Sequence, residues 1–212
     1  MFRFVILIPS YNEEKTLLKI IKKLSKNNIL VINDASTDNT KNLMLNKNIK
    51  IINNKRNIGY EKSLFKGLKI LKNKKYDYVI TMDADGEHST SSLKKIMIFC
   101  KKYSPDLVIG NRTRKNRISE KIISFLFKLR FNILDPLSGF KAYKLSAIKP
   151  LIKNYQIKKN FFVDIINLFI KKKLIILNIN IKSNSKPIRK SRVGNSIIAN
   201  FKIMCCLIYL IK

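Results

Sequence analysis

A chain of 212 residues, 46% hydrophobic and 27% charged, can bury one sizeable core, which excludes general disorder and leaves little room for two full domains. Its 44 Lys and Arg against 13 Asp and Glu give a formal charge of +31, which invites a polyanionic partner such as nucleic acid, an anionic membrane surface or a phosphorylated substrate. The texture is rich in Lys, Ile and Asn throughout, so compositional bias accounts for the bulk charge as readily as a ligand does, and functional weight falls on arginines at special positions.

The first apolar run, FVILI (4–8), passes straight into PSYNEE with no small-residue cleavage site, so it reads as a strand rather than a signal peptide. EEKTLLKIIKKL (13–24) repeats apolar residues at three and four, the spacing of one helix face. Strand-length runs then recur as ILVI (29–32), IKII (49–52), YVITM (78–82) and LVIG (107–110), with a second helical pattern, EKSLFKGLKIL (61–71), among them. Asn12, Ser36 with Asp38, and Ser89 with Thr90 stand where helix caps are expected. Strand alternating with helix implies an α/β fold with a mostly parallel sheet flanked by helices.

Beyond LVIG, the stretch 112–135 is a basic amphipathic helix pattern. Phe125, Phe127, Leu129 and Phe131 lie among Arg117, Lys121, Lys128 and Arg130, a composition that suits an anionic lipid surface and equally suits packing on the domain. The last stretch, SIIANFKIMCCLIYLIK (196–212), is apolar but broken by Lys202 and short of the roughly twenty residues that span a bilayer. The expected division is a catalytic-type domain over 1–182 and a segment over 183–212 ending in an amphipathic helix. That helix packs on the domain, lies on lipid or docks to a separate membrane protein. Cys100, Cys205 and Cys206 form neither a disulfide framework nor a metal-site spacing, which fits a reducing, cytoplasmic setting.

Ligands of open parallel sheets bind beyond the carboxyl ends of the strands, so the polar stretches there carry the chemistry. The most informative is YVITMDADGEH, Tyr78–His88, where a buried strand runs into Asp83, Asp85 and Glu87 at alternate positions. Like charges so close repel unless a cation or protons intervene, and hard oxygen donors suit Mg²⁺ or Mn²⁺ held jointly with substrate phosphates. A solvated turn with a helix cap is the plainer reading of the same acids. No Gly-x-Gly-x-x-Gly and no phosphate-binding loop ending in Gly-Lys-Ser/Thr occurs. His88, the sole histidine, is as good a hydrogen-bond partner as a ligand, and no catalytic role is assigned to it.

VILIPSYNEEKTL, ILVINDASTDNT, NIGYEKSLFKGL, VITMDADGEHS, IGNRTR, DPLSGFKAYK and RVGNS occur in an order and spacing that resemble a family 2 glycosyltransferase, over nearly the whole chain from Phe4 to Ser196. The likeness is to the branch with dolichol-phosphate mannose synthase and bacterial polyprenyl-phosphate sugar transferases. It implies a GT-A fold and an inverting, metal-dependent transfer of a sugar from a UDP- or GDP-linked donor. Pro9, Tyr11, Glu13 and Asp34 then match the nucleoside site, and Asn57 and Gly59 the turn at the nucleotide's edge. Asp83, Asp85 and Glu87 match the metal site. Arg112, Arg189 and Arg192 offer guanidinium forks to phosphate, with Arg192 and Ser196 in the family's Arg-x-Gly-x-Ser stretch. Asp135 matches a catalytic position, as base for a hydroxyl acceptor or as a positioning group where the acceptor is a polyprenyl phosphate, itself an anionic nucleophile. Asp164 falls where relatives place an acid facing the acceptor, and capped helix packing explains it equally. The expected partners are a nucleotide sugar, a polyprenyl phosphate and the inner face of the cell membrane. A glycan acceptor is the alternative within the family. A basic nucleic-acid-binding protein is the rival of another class, disfavoured because the cations are scattered and no RNA-binding aromatic motif is present.

Overall fold

A computed structural model describes residues 2–24, 28–42, 49–86, 88–113, 117–157 and 160–182, with backbone alone at 41 and 42. The expected C-terminal segment, 183–212, lies outside the described residues. In chain order the elements are β1 (Phe4–Ser10), α1 (Glu14–Lys23), β2 (Asn28–Asn33), β3 (Ile49–Asn53), α2 (Tyr60–Leu71), β4 (Tyr78–Thr81), α3 (Thr90–Tyr103), β5 (Leu107–Arg112), α4 (Ile118–Phe131), β6 (Lys141–Lys144), α5 (Leu145–Leu151), α6 (Phe161–Lys171) and β7 (Ile176–Ile181). One seven-stranded sheet runs β3-β2-β1-β4-β6-β5-β7. Every pairing is parallel except those of β6, which lies antiparallel between β4 and β5.

The runs that became β1, β2, β4 and β5 are buried on both faces over most of their length, as a helix-covered sheet requires, while β3 at the sheet edge is only partly covered. Along β1, Val5 and Leu7 enter one core with Leu64 and Leu68 of α2 and Phe127 of α4. Ile6 and Ile8 enter the other with Leu17 and Ile20 of α1 and Ile96 of α3. This period of two makes a three-layer α/β/α body and fixes the register, because a one-residue slip would exchange the cores.

Two strands escape the apolar-run criterion. β6 reads KAYK, yet Lys141, Ala142 and Tyr143 are all buried, and β7 reads ILNINI at the sheet edge. Ser89 caps α3 as expected, accepting from the Ser92 amide. Asn12 does not cap α1. It turns at a φ of 52° and its side-chain carbonyl accepts from Thr37 N–H at 2.7 Å, while a carboxylate oxygen of Asp38 reaches across to the Glu14 amide at 3.2 Å. The loops after β1 and β2 thus cap one another. Of the two readings left open for α4, packing on the domain holds for Phe127, which is wholly buried, and for Phe131, which packs against the same core, so the outward face of that helix is made by other residues.

Candidate active site

All the parallel strands end at one edge of the sheet, and antiparallel β6 begins there, so six connecting segments converge. Between them lies a cavity of about 540 Å³. Pro9, Tyr11 and Glu13 follow β1, Asp34 follows β2, Asn57 and Gly59 precede α2, Asp83 and Asp85 follow β4, and Arg112 ends β5; all line it. The structure therefore brings together nine residues selected from the sequence. It adds some that were missed: Tyr60, Leu137, Gly139 and Phe162 complete the wall.

One end is organised by Asp34. Its Oδ1 accepts from the Ile58 amide at 2.9 Å and from Asn54 Nδ2 at 2.8 Å, and its Oδ2 accepts from the Gly59 amide at 2.8 Å. Three donors folded onto one buried carboxylate pin the 54–59 loop across the cavity floor. Gly59 sits at a φ of 89°, a conformation that disfavours any side chain, and α2 starts immediately after it.

The middle is organised around Asp83. The Tyr60 hydroxyl donates to its Oδ1, and His88 Nε2 lies 3.1 Å from its Oδ2, with the imidazole stacked on Phe140 at 4.8 Å between centroids. Burial alone would raise the Asp83 carboxyl, but the hydrogen bond and charge of His88, the Tyr60 hydroxyl and Arg112 together hold it below the usual carboxylate range. Burial first, and then the Asp83 charge, pushes the Tyr60 hydroxyl well above its ordinary value, so it remains a neutral donor. A Cβ at Gly139 would stand 2.6 and 2.7 Å from the Asp83 oxygens, so only glycine leaves this seat open. His88 is thus a buried partner that orients Asp83.

The far end holds a charge ladder. Arg112 Nε donates to Asp135 Oδ2 at 2.8 Å and its Nη2 to Oδ1 at 3.1 Å, a two-pronged pairing, and the same Nη2 is 3.5 Å from Glu120 of α4. Arg117 closes the ladder at 3.3 Å from Glu120. Asp135 is wholly buried, and it is Arg112, its partner, that lines the cavity. Beneath lies Lys141, unremarked in the sequence because it sits inside a strand. Its ammonium donates to the carbonyls of Pro136, at 3.0 Å, and Ser138, and lies 4.2 Å from the centre of the Phe162 ring. Burial lowers its pKa to about 7, against the opposing pull of Asp135.

Asp164 is buried in α6, accepts from the Tyr155 hydroxyl at 2.5 Å and is not among the cavity-lining residues. What holds α6 at the site is Glu61, whose oxygens accept from Asn160 Nδ2 at 2.8 Å and the Phe161 amide at 2.7 Å. Glu87, Arg189, Arg192 and Ser196 lie outside the described residues. Among the described residues no three His, Cys, Asp or Glu gather as a self-sufficient metal cage. Two carboxylates at one cavity wall are nevertheless the donor set of a hard cation whose remaining ligands come from substrate phosphates and water, and Asp83 and Asp85 fit that description.

The sequence profile of "Glycosyl transferase family 2" matches residues 5–152. The chain belongs to that family. Among its relatives, an uncharacterized protein of Methanocaldococcus jannaschii is 33% identical over 69% of this chain and 74% of its own. The UDP-N-acetylglucosamine–dolichyl-phosphate N-acetylglucosaminyltransferase of Methanococcus voltae is 27% identical over 97% of this chain and 94% of its own. In three dimensions the chain superposes on glucosyl-3-phosphoglycerate synthase from Mycobacterium tuberculosis, solved with uridine diphosphate. The TM-score is 0.69 at 15% identity, covering 99% of this chain and 80% of that one. The fold is therefore GT-A, as family 2 membership leads one to expect.

Proposed function

We propose that this family 2 glycosyltransferase moves a sugar from a nucleoside-diphosphate donor to a polyprenyl phosphate, with inversion and with Mg²⁺ or Mn²⁺. The observation that carries the choice of acceptor is the Arg112–Asp135 pair. A hydroxyl acceptor needs a carboxylate free to take its proton, whereas Asp135 is wholly buried with both oxygens accepting from Arg112. A phosphate acceptor arrives as an anion, needs no base, and suits the guanidinium that Asp135 steadies at the cavity wall. The dolichyl-phosphate acceptor in the name of the M. voltae relative supports the same reading.

In this mechanism the loop pinned by Asp34 and the aromatic face of Tyr11 receive the nucleoside. Asp83, oriented by Tyr60 and His88, and Asp85 are the residues that would hold the cation, which when bound stabilises the charge of the departing diphosphate. Arg112 holds the acceptor phosphate oxygen toward the anomeric carbon, and attack from the face opposite the diphosphate inverts that centre. Lys141 braces the 136–138 turn beneath by its two carbonyl bonds. Calorimetry of the purified chain with UDP and GDP, with and without Mn²⁺, followed by transfer assays offering polyprenyl phosphate or a soluble glycan, tests the reading. Donor binding indifferent to the cation overturns the metal assignment, and transfer to the glycan alone overturns the acceptor.

A further inference from the structure

α4 carries two apolar faces, and the core takes only one. Ile123 and Phe127 are fully buried, with Ser119, Glu120 and Ser124 beside them. Ile118, Ile122, Phe125 and Leu129, spaced by four, three and four, are 76%, 39%, 60% and 68% exposed. At about 100° per residue they share an arc of about 60°, directly opposite the buried face. Lys121 and Lys128 border the stripe on one side, and Arg130 lies farther round on the other side beyond Leu126, all three cations exposed. The helix's acid, Glu120, is turned inward between Arg112 and Arg117. The outward surface is thus a continuous apolar stripe whose neighbouring exposed charges are all cations, unlike the singly scattered apolar residues of an ordinary surface.

From this we infer that the outer face of α4 docks on an anionic lipid surface. Charge complementarity selects that occupant. A second copy of the chain would bring another +31 against the same cations. The apolar C-terminal segment carries Lys186, Arg189, Lys190, Arg192, Lys202 and Lys212 and no acid, so it too meets the bordering lysines with like charge. A bilayer rich in anionic headgroups buries the stripe in the headgroup–acyl boundary while attracting Lys121, Lys128 and Arg130. The face differs from the one suggested by the phenylalanine pattern alone, since Phe127 belongs to the core. Its position has a use that rests on the polyprenyl-phosphate reading. Glu120 joins the first turn of α4 to Arg112 at the cavity wall, so a docked helix holds the crevice next to the plane in which a lipid-borne phosphate travels.

Co-sedimentation of the full chain with phosphatidylglycerol–phosphatidylcholine vesicles tests the docking. The wild type should pellet, less so at high salt, and Phe125→Ser with Leu129→Ser should lower its partition by about tenfold or more while melting and nucleoside-diphosphate binding stay as in the wild type. Lys121→Glu with Lys128→Glu should lose binding to the anionic vesicles and leave binding to pure phosphatidylcholine unchanged. Equal pelleting of wild type and the Ser variant overturns the proposal in favour of the C-terminal segment. A concentration-dependent dimer that the Ser variant abolishes overturns it in favour of a second copy. Docking as expected with transfer only to a soluble glycan keeps this inference and sinks the acceptor reading. Transfer to polyprenyl phosphate in detergent by a chain that ignores vesicles does the reverse.

Discussion

At the end of the crevice beneath β2 and β3, Asp34 accepts from two backbone amides and one side-chain amide, and the result is a loop folded into place. At the opposite end, beyond β5, Asp135 meets the guanidinium of Arg112, which touches Glu120, which touches Arg117. One aspartate organises neutral backbone and the other organises charge. The first arrangement is short-ranged and neutral in its donors, and in the proposed reading it receives the nucleoside. The second keeps a cation desolvated and aimed, which suits an anionic group. Between them Asp83, held by Tyr60 and His88, and Asp85 both line the cavity.

The sharpest way to test that division is to remove the middle. Asp85→Ala should reduce transfer by about a thousandfold or more while stability to urea changes by less than about 0.5 kcal/mol, because the lost charge served the diphosphate end of the reaction and not the fold. Normal turnover in this variant would return Asp85 to the role of a solvated turn residue.

Next in size is Asp135→Ala, which leaves Arg112 desolvated without its partner and should cost about 3–5 kcal/mol in urea unfolding. Asp34→Ala should cost less, about 1–3 kcal/mol, since the donors it abandons are neutral, and it should weaken nucleoside-diphosphate binding independently of salt. Equal costs for the two variants would erase the distinction between the two ends.

The smallest effect concerns Lys141. Its pKa in the folded chain is lowered to about 7 from the ordinary 10.5, so above about pH 7 the unfolded chain holds the extra proton and stability rises with pH. Below that point both states are protonated and this contribution is flat. Cys100, raised by burial to about 12 from 9.0, has the opposite slope at higher pH, so the useful window is pH 7 to about 8.5. Within it, denaturant titrations should show an upward slope of no more than about 1.4 kcal/mol per pH unit that Lys141→Met removes. A wild-type slope identical to the variant's would mean that the carbonyls of Pro136 and Ser138 and the Phe162 ring hold the ammonium charged throughout.

What could be read from the chain beforehand follows from where the signals lie. Strands β1, β2, β4 and β5 announce themselves as apolar runs because a doubly covered sheet demands them, β3 reads as a run although it lies partly exposed at the edge, and the residues directly after these strands were legible because the rule of carboxyl ends needs no side-chain detail. β6 was illegible because its burial rests on Lys141, a residue that composition assigns to the surface. Tyr60, Gly139 and Phe162 were missed because each works through a partner distant in the chain; Gly139 matters only because Asp83 is its neighbour in space. The outward face of α4 could not be chosen beforehand because Phe125, Phe127, Leu129 and Phe131 alternate every two residues, a spacing that a helix divides between its two sides.

The reversed direction of β6 has a bearing on how the molecule assembles. β3, β2, β1 and β4 arise from the first 81 residues and pair as contiguous neighbours, so the Asp34 end of the crevice can form as soon as they are made. β5 comes next in the chain but finds no partner in β4. It must wait for α4 to form and for β6 to slot between the two, where Lys141 N–H and the Gly139 carbonyl meet the Thr81 hydroxyl across a long loop. Pairings of such wide sequence separation are slow to close. The Asp83–Asp85 wall therefore passes through a half-built stage in which its acids are present but the glycine seat and the Arg112–Asp135 pair are absent. Ligand affinity should emerge in the last kinetic phase of refolding, well after most of the sheet has formed.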